Sequence, residues 1–342
     1  MKKIIYLRNT QGFYSGDIVQ GELLEKHFNA MTVAPTAIQG KTPQLLKVDD
    51  VYYPVQSISR SLDTVEPDIV FIHTITPQLT QELPDIVRKY VTVWRLAINF
   101  EELFVAPQMH MLLKDFWNIL RVVDCIICPS PHVESNLKAM GYENTVYVPT
   151  TVDLSKYPPT TTKESNVLSV GRLAPLKNTI TALLAFKEVH RQIPTARMLI
   201  IGAGPFGQLY NQTIQGVGLA GVQLMGARPA HQFYSQSRIY VQSSFSENGS
   251  LSLLEAIASG IPSVASDIGG HTCYNTKSVL LAPHDNIKAF ADKMVYLLQN
   301  EEVWERLHKQ ALKDAKRFDV SEVIPKYRKL FDKLVRLRSL KQ

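Results

Sequence analysis

Two glutamates stand eight positions apart in the segment Glu247-Asn-Gly-Ser-Leu-Ser-Leu-Leu-Glu255, around the predicted start of a helix over residues 251–259. Backbone amides at the N-terminus of such a helix favour a phosphate, because they are unpaired and the helix dipole adds to their effect. The amides in question belong to Asn248, Gly249, Ser250 and Leu251. Glu247 is placed to reach a hydroxylated group beyond the phosphates, and Glu255 to accept from vicinal hydroxyls such as those of a ribose. A pair at this spacing occurs about once by chance, so its surroundings must decide.

Two cations stand five positions apart after a predicted strand over residues 166–170. A glycine turn leads into Arg172-Leu-Ala-Pro-Leu-Lys177, just before a predicted helix over 179–192. An arginine offers a planar fork of donors and a lysine a mobile point charge, so together they suit a diphosphate. Open α/β sheets bind ligands at the carboxyl ends of their strands. No Asp or Glu occurs over the 58 residues 189–246, which favours binding of a polyanion nearby.

The segment Gly202-Ala-Gly-Pro-Phe-Gly207 matches the dinucleotide-binding motif G-x-G-x-x-G and follows a predicted strand. That motif also needs an acid about 20 residues further on to bind the ribose, and none is present. Arg228, just after the next predicted strand, would suit a 2′-phosphate instead. An NADP-dependent oxidoreductase therefore stays open as an alternative.

Short apolar runs alternate with helical patterns along both halves of the chain. In the first half, strands are predicted over residues 4–7, 68–73, 90–94, 124–128 and 145–148, with a helix over 18–28. In the second half, further strands are predicted over residues 196–201, 221–225, 239–241 and 262–265. A Pro- and Thr-rich stretch over residues 148–164 predicts an extended linker. The predicted fold class is α/β, with two facing Rossmann-like doubly wound domains, a cleft between them and a C-terminal helix.

The composition of the 342 residues is that of an ordinary globular protein, with 45% hydrophobic and 20% charged residues. No apolar run is long enough for a transmembrane helix or a signal peptide, so we expect a cytoplasmic protein. Three cysteines form no disulfide framework, and Cys125 and Cys128 are expected to be core residues of a strand rather than a redox pair. No histidine pair has zinc-binding spacing, so no metal is expected.

The formal net charge of +6 is concentrated at the C-terminus. Residues 326–342 contain seven cations and one acid, while the rest of the chain is neutral overall. Apolar residues recur there at helical spacing, so one face would dock and the basic face would be exposed. A solvated terminal helix is one interpretation, and contact with an anionic membrane surface or an acidic acceptor is the other. No nucleic-acid partner is expected.

These motifs, in this order, resemble the retaining glycosyltransferases of family 4, which have the two-domain GT-B fold. The resemblance is specific over the second half, and it includes the double glycine in Ser266-Asp-Ile-Gly-Gly270. It implies that Arg172 and Lys177 bind the diphosphate of a nucleotide sugar, Glu255 its ribose and the turn from Gly226 to Arg228 its base. Glu247 and the amides after it would contact the donor sugar and phosphates. The catalytic candidates are therefore Glu247, Arg172 and Lys177.

The first half is similar to the family in a looser way. Gly16 matches a glycine-rich loop near the diphosphate, and His73 matches a histidine that commonly ends a strand. Where many members have an active-site histidine at the end of the next strand, this chain has Trp94-Arg95. The acid usual after the double glycine is replaced around Cys273. His73 and Arg95 are the candidates on the acceptor side.

The resemblance predicts an acceptor-side domain over residues 1–155, a donor-binding domain over 156–320 and a basic helix over 321–342 that packs back toward the first domain. It implies a metal-independent hexosyltransferase without a cofactor, which uses a UDP-sugar in preference to GDP-mannose and retains configuration. The acceptor would be a hydroxyl of a glycan, glycolipid or protein, and the enzyme would lie at the inner membrane face if its tail binds lipid. A non-catalytic GT-B partner subunit that recognises a polymer or polypeptide is the second alternative.

Overall fold

The structure is a computed structural model that describes residues 3–7, 16–28, 31–34, 44–48, 51–55, 57–73, 77–96 and 110–340. The chain forms two compact units. The first contains residues 1–149 together with 323–342, and the second contains residues 150–322. Each unit has its own sheet and is described in turn.

The first unit contains an eight-stranded sheet in the order β4-β3-β2-β1-β5-β6-β7-β8. Its strands are β1 (Ile4–Leu7), β2 (Met31–Ala34), β3 (Gln44–Val48), β4 (Val51–Val55), β5 (Ile69–Ile72), β6 (Val91–Arg95), β7 (Cys125–Cys128) and β8 (Thr145–Tyr147). Its helices before the second unit are α1 (Gly16–Phe28), α2 (Ile58–Val65), α3 (Pro77–Lys89), α4 (His110–Val122) and α5 (Pro131–Ala139). The pairs β2–β3 and β3–β4 are antiparallel, and the other pairs are parallel.

The central strands β5, β6 and β7 are buried along their whole length, as parallel strands covered on both faces should be. Trp94 is fully buried and packs edge-on against Phe116 of α4. Cys125 and Cys128 are buried in β7, and burial raises the pKa of each thiol to about 12. Both thiols are therefore inert core groups, as the sequence predicts.

The second unit contains a six-stranded parallel sheet in the order β11-β10-β9-β12-β13-β14. Its strands are β9 (Asn166–Val170), β10 (Arg197–Ile201), β11 (Val222–Gly226), β12 (Ile239–Gln242), β13 (Ser263–Ser266) and β14 (Val279–Ala282). Its helices are α6 (Thr179–Gln192), α7 (Gly207–Gly216), α8 (His231–Tyr234), α9 (Leu251–Ala258), α10 (Gly269–Thr272), α11 (Ile287–Gln299) and α12 (Glu301–Ala315). The strand order reverses between β9 and β12, which is the switch point where such sheets bind ligands.

Each face of this second sheet has its own apolar core. Val167 of β9 packs in one core with Phe186 of α6 and Phe290 of α11. The next residue, Leu168, packs in the other core with Ile257 of α9 and Ala311 of α12. This alternation follows from the two-residue period of a strand, and it covers the sheet with helices on both faces. The predicted α/β class is confirmed.

From residue 150 onward, the stretch over residues 148–164 belongs to the second unit and is hydrogen-bonded to it, rather than forming a free linker. Val152 donates its amide to Phe318 O at 3.0 Å, and Thr160 donates its amide to Ser259 O at 2.9 Å. A short 3₁₀ turn at Leu154–Lys156 leads to Tyr157, which is buried.

The C-terminal helix, α13 (Val320–Ser339), supplies the last residues of the first unit. Tyr327 and Phe331 are buried against Phe28 of α1 and Phe71 of β5. Aromatic pairs in these edge-on and tilted arrangements stabilise a core beyond their buried area. Within the described residues, no helix combines the length and the apolar character that crossing a membrane requires.

Candidate active site

The loop after β9 holds Lys177 at the switch point. A 3₁₀ turn at Pro175–Lys177 ends at Asn178, whose backbone is left-handed with a φ of 45°. Asparagine tolerates this conformation better than most residues. Asn178 directly precedes the first residue of α6. The Asn178 side-chain amide donates to His284 O at 2.8 Å, and Ser243 Oγ donates to Asn178 O at 2.7 Å. The loop after β9 is thereby tied to the loops that follow β14 and β12.

Lys177 and Glu247 form the centre of the site. Lys177 Nζ donates to Glu247 Oε1 at 2.6 Å, with only 26% and 9% of the two side chains exposed. The same oxygen accepts from Gln242 Nε2 at 2.7 Å and from Ser244 Oγ at 2.8 Å. Three donors therefore fix one oxygen of the carboxylate at the carboxyl end of β12.

The charges around Glu247 keep it ionised. Burial acts to raise its pKa, but the Lys177 ammonium, the nearby His271 and the bonds from Lys177 and Ser244 outweigh burial and lower the pKa below its ordinary value. His271 is itself buried, and burial lowers its pKa although Glu247 opposes this. The ring donates from Nδ1 to Ser266 O at 2.9 Å. Lys177 and Glu247 thus form a charged pair beside a buried histidine.

The double glycine after β13 packs directly against the backbone of Glu247. A Cβ added at Gly270 would overlap the carbonyl oxygen of Glu247, so the close approach requires a glycine here. Ser250 donates its amide to Gly270 O at 3.4 Å. In the part of the chain that the structure describes, the amides of Gly249 and Leu251 donate to no protein acceptor. Two of the four predicted amides therefore remain available to an anion.

Helix α9 begins as the sequence predicts, with Ser250 as its N-cap, whose Oγ accepts from Leu253 N. Glu255 lies in this helix and is only 7% exposed. Its Oε1 accepts from Tyr157 OH at 2.5 Å, and its Oε2 accepts from Tyr234 OH at 2.7 Å. Burial raises the pKa of Glu255, and the two tyrosine bonds oppose that rise.

The glycines of the G-x-G-x-x-G motif have a packing role. A Cβ at Gly202 would overlap Gly171 O, and one at Gly204 would overlap Leu173 O. Leu173 also donates its amide to Ala203 O at 2.9 Å. The backbone after β9 therefore lies against the turn where a dinucleotide fold would seat a pyrophosphate. This contact argues against the NADP alternative.

The remaining donor-side candidates lie in the loops of the second unit. Arg172 is exposed and follows Gly171 directly after β9. Gly226 ends β11 with a φ of 70°, and its carbonyl accepts from Gly202 N at 2.8 Å. Arg228 is exposed and donates from Nε to Met225 O at 2.9 Å.

The other candidates lie in the first unit. Gly16 begins α1, while residues 12–15 of its loop lie outside the described residues. His73 follows β5 and is buried. Arg95 ends β6, is 4% exposed and donates from Nε to Tyr327 OH at 3.3 Å, so it contacts the C-terminal helix.

Several residues of the site were missed by sequence reasoning. They are Tyr157, Tyr234, Gln242, Ser244 and His271. Gln242 and Ser244 stand at the polar end of the strand pattern over residues 239–244, which is a usable signal for both. His271 directly follows the double glycine, and that position is a usable signal for His271. Neither tyrosine carried a signal, because each reaches Glu255 from a distant part of the chain.

Residues 154–314 match the family described as glycosyl transferases group 1. The matched segment lies within the second unit and makes up just under half of the chain, so the similarity is to the domain that defines this group. One relative of this domain is the UDP-N-acetylglucosamine–peptide N-acetylglucosaminyltransferase GtfA subunit of Streptococcus pneumoniae, 28% identical over 184 residues, which are 51% of this chain and 36% of that protein. Another is the alpha-monoglucosyldiacylglycerol synthase of the same species, 25% identical over 53% of this chain and 46% of that protein. The chain spans less than half the length of these relatives.

Solved structures share the fold over nearly the whole chain. Sucrose-phosphate synthase from Thermosynechococcus elongatus has a TM-score of 0.77 at 18% identity, covering 98% of this chain and 99% of that one. The Anabaena protein HepE, solved in complex with UDP and glucose, has a TM-score of 0.74 at 16% identity, covering 97% and 100%. At these identities the likeness shows the GT-B fold alone.

Proposed function

We propose that this chain is a retaining glycosyltransferase of family 4 type, which moves a sugar from a nucleotide sugar to a hydroxyl acceptor. The Lys177–Glu247 ion pair carries the proposal, because it lies at the switch point of the sheet in a group 1 glycosyltransferase domain. The acceptor would be a glycan, a glycolipid or a protein, as in cell-surface polysaccharide synthesis.

We favour a UDP-sugar as donor. The pneumococcal relative is named for UDP-N-acetylglucosamine, and the Anabaena structure contains UDP, which together support a uridine nucleotide. Arg172 and Lys177 would bind the diphosphate, Glu255 the ribose and the turn from Gly226 to Arg228 the base. Gly16, His73 and Arg95 remain the candidates contributed by the first unit.

In the proposed reaction, the bond between the anomeric carbon and the diphosphate oxygen breaks. A bond from the acceptor oxygen to that carbon forms on the same face, and the acceptor proton passes to the departing diphosphate. Lys177, Arg172 and the amides of Gly249 and Leu251 would stabilise the negative charge that develops, which is usually the largest contribution to such catalysis. Glu247 would contact the donor sugar, and we propose that no metal or other cofactor takes part.

Calorimetric titration with UDP, GDP and several UDP-sugars, followed by an assay of UDP release, tests this function. We expect UDP to bind and a UDP-sugar to be turned over. Glu247→Gln preserves the size of the side chain and should lower turnover by about 100-fold or more, while UDP binding changes little. Glu188→Gln is the matched control, because the side chain of Glu188 on α6 is 40% exposed. The proposal would be wrong if no nucleoside diphosphate bound and no donor were turned over.

A non-catalytic partner subunit is the second candidate. Arg95 favours it, because this buried cation occupies the strand end where the family resemblance predicts an active-site histidine. A chain that binds UDP but turns over no donor, even with a panel of acceptors, would support this candidate over the enzyme.

We also propose that α13 binds an anionic membrane surface. Its cations Lys326, Lys329 and Lys333 are exposed, and near its end Leu337 and Leu340 are 44% and 77% exposed. Apolar side chains beside cations are typical of helices that lie on anionic lipid.

Sedimentation with phosphatidylglycerol vesicles tests the membrane proposal, and we expect binding that falls with salt. The double change Lys329→Glu with Lys333→Glu should abolish binding. The same charge change on α12, Lys309→Glu with Lys313→Glu, is the control and should have little effect. Equal binding of both variants would refute the role of α13.

A further inference from the structure

Two tyrosine hydroxyls hold the carboxylate of Glu255, one on each oxygen. Tyr157 OH lies 2.5 Å from Oε1, and Tyr234 OH lies 2.7 Å from Oε2. Burial raises the pKa of both tyrosines, so each hydroxyl keeps its proton and donates it. Bonds of this length to an ionised group are among the strong hydrogen bonds of proteins.

The two tyrosines are themselves held in place. Their rings meet edge to face, with centroids 5.9 Å apart and planes at 72°. Tyr157 is 7% exposed and Tyr234 is fully buried, so neither ring has room to turn. Tyr157 comes from the stretch before β9 and Tyr234 from α8, so two separate elements fix the side chain of a third, α9.

A carboxylate has about four lone-pair positions, two on each oxygen. The tyrosines fill one position on each oxygen and leave one on each for another donor. Two hydroxyls on neighbouring carbons of a ribose are spaced to meet such a pair of oxygens. Because two hydrogen bonds already fix the orientation of this carboxylate, its side chain loses little freedom when a ligand binds, which strengthens binding.

We propose that Tyr157 and Tyr234 are positioning residues that orient Glu255 toward the vicinal hydroxyls of the nucleotide ribose. The inference rests on the proposed function, in which Glu255 binds the ribose. Neither tyrosine contacts the nucleotide, and both act through the carboxylate. Loss of one hydroxyl frees one oxygen of Glu255 and weakens its hold on the ribose.

The test compares UDP with 2′-deoxy-UDP by calorimetry in the full chain. The wild type should bind UDP about tenfold more tightly than 2′-deoxy-UDP, as expected for loss of a hydrogen bond to a charged group. Tyr157→Phe and Tyr234→Phe each retain the ring and remove the hydroxyl, and each should bring the two affinities together. Tyr210→Phe is the matched control, because Tyr210 is buried in the same unit and bonds to Thr179 instead.

A pH series adds a readout that a loss of packing would not change. The tyrosine bonds lower the pKa of Glu255 against the effect of burial, so their removal raises that pKa further. UDP affinity of Tyr157→Phe should therefore start to fall at a higher pH than that of the wild type as the pH is lowered. The control variant should follow the wild type.

The outcomes separate the two proposals. If the wild type prefers UDP over 2′-deoxy-UDP and both tyrosine variants keep that preference and the wild-type pH profile, the positioning role is wrong and the proposed function stands. If the wild type binds UDP and 2′-deoxy-UDP equally, the ribose contact of Glu255 and the positioning role fail together. If it binds neither, the proposed function fails as well.

Discussion

Lys177 and Glu247 are largely withdrawn from water, and at the scale of single residues this determines how the site behaves. Taking two charges out of water is unfavourable unless good geometry and further hydrogen bonds offset the loss. Gln242 and Ser244 supply those bonds to the carboxylate. The pair is therefore held in one geometry before any ligand arrives.

The stability of the second unit should depend on pH through Glu247. Its pKa is lowered in the folded state, so its ionised form stabilises the fold above the unfolded pKa near 4.5, and this contribution is lost as the pH falls through the lower folded pKa. Glu247→Gln should lower the free energy of unfolding by about 1–3 kcal/mol near neutral pH. The difference from the wild type should shrink below about pH 4. Urea unfolding at several pH values measures it, and a difference independent of pH would contradict the assignment.

Sequence reasoning identifies the candidate site residues whose signal is local. Arg172, Lys177, Glu247 and Glu255 stand in short motifs beside a strand end or a helix start, and the structure joins Lys177 to Glu247. Tyr157 lies 98 positions from Glu255, and no pattern in a single sequence predicts a contact between two such residues. Contacts of this kind are set by the packing of whole elements.

At the scale of elements, the close packing of the double glycine on the loop after β12 determines where Glu247 lies. Gly270→Ala would push the backbone of Glu247 away, so we expect UDP-sugar turnover to fall by about 10-fold or more. Gly216→Ala is the matched control, because no atom lies within 4 Å of the added Cβ at the end of α7. The control should leave turnover unchanged and stabilise the helix by up to about 1 kcal/mol. Equal turnover in the two variants would show that this contact is not needed.

Helix α13 closes the core of the first unit with its aromatic side chains. Phe331→Ala removes a fully buried ring that packs on Phe28, Phe71 and Tyr327, so we expect a loss of about 3–5 kcal/mol in that unit. Leu337→Ala lies on the exposed side of the same helix and should change stability by less than about 0.5 kcal/mol. Thermal unfolding followed by circular dichroism compares the two, and similar losses would contradict the packing described for α13.

Some elements were predicted with the bounds that the structure shows, and others were missed. Helix α6 and strand β9 have the predicted bounds, because each combines a clear apolar pattern with a glycine or asparagine boundary. Strands β2, β3, β4 and β14 were missed. The antiparallel strand β4 contains Pro54, which is unfavourable inside a sheet. Strand β14 has only four residues, and neighbouring strands did not supply the missing pattern.

For the whole molecule, the residues proposed to bind the diphosphate, ribose and base lie in the second unit, apart from the candidate Gly16. UDP should therefore stabilise that unit. At a UDP concentration of 100 Kd, the equilibrium constant for opening of the unit should fall about 100-fold. Hydrogen exchange measured by mass spectrometry should show slower exchange in β9 and β12 when UDP is added. Strands β5 and β6 of the first unit serve as the internal control and should exchange at the same rate. Equal protection of both sheets would contradict a donor site formed mainly by the second unit.

Aromatic packing between Phe331 and Phe28 also has a consequence for synthesis of the chain on the ribosome. The second unit is continuous in sequence, whereas the first is completed only by residues 323–342. The core of the first sheet is therefore incomplete until α13 has been translated. All strands of the second sheet have been translated before that point. We expect the unit encoded first to be the last to reach its native state, and to depend on chaperones in the interval.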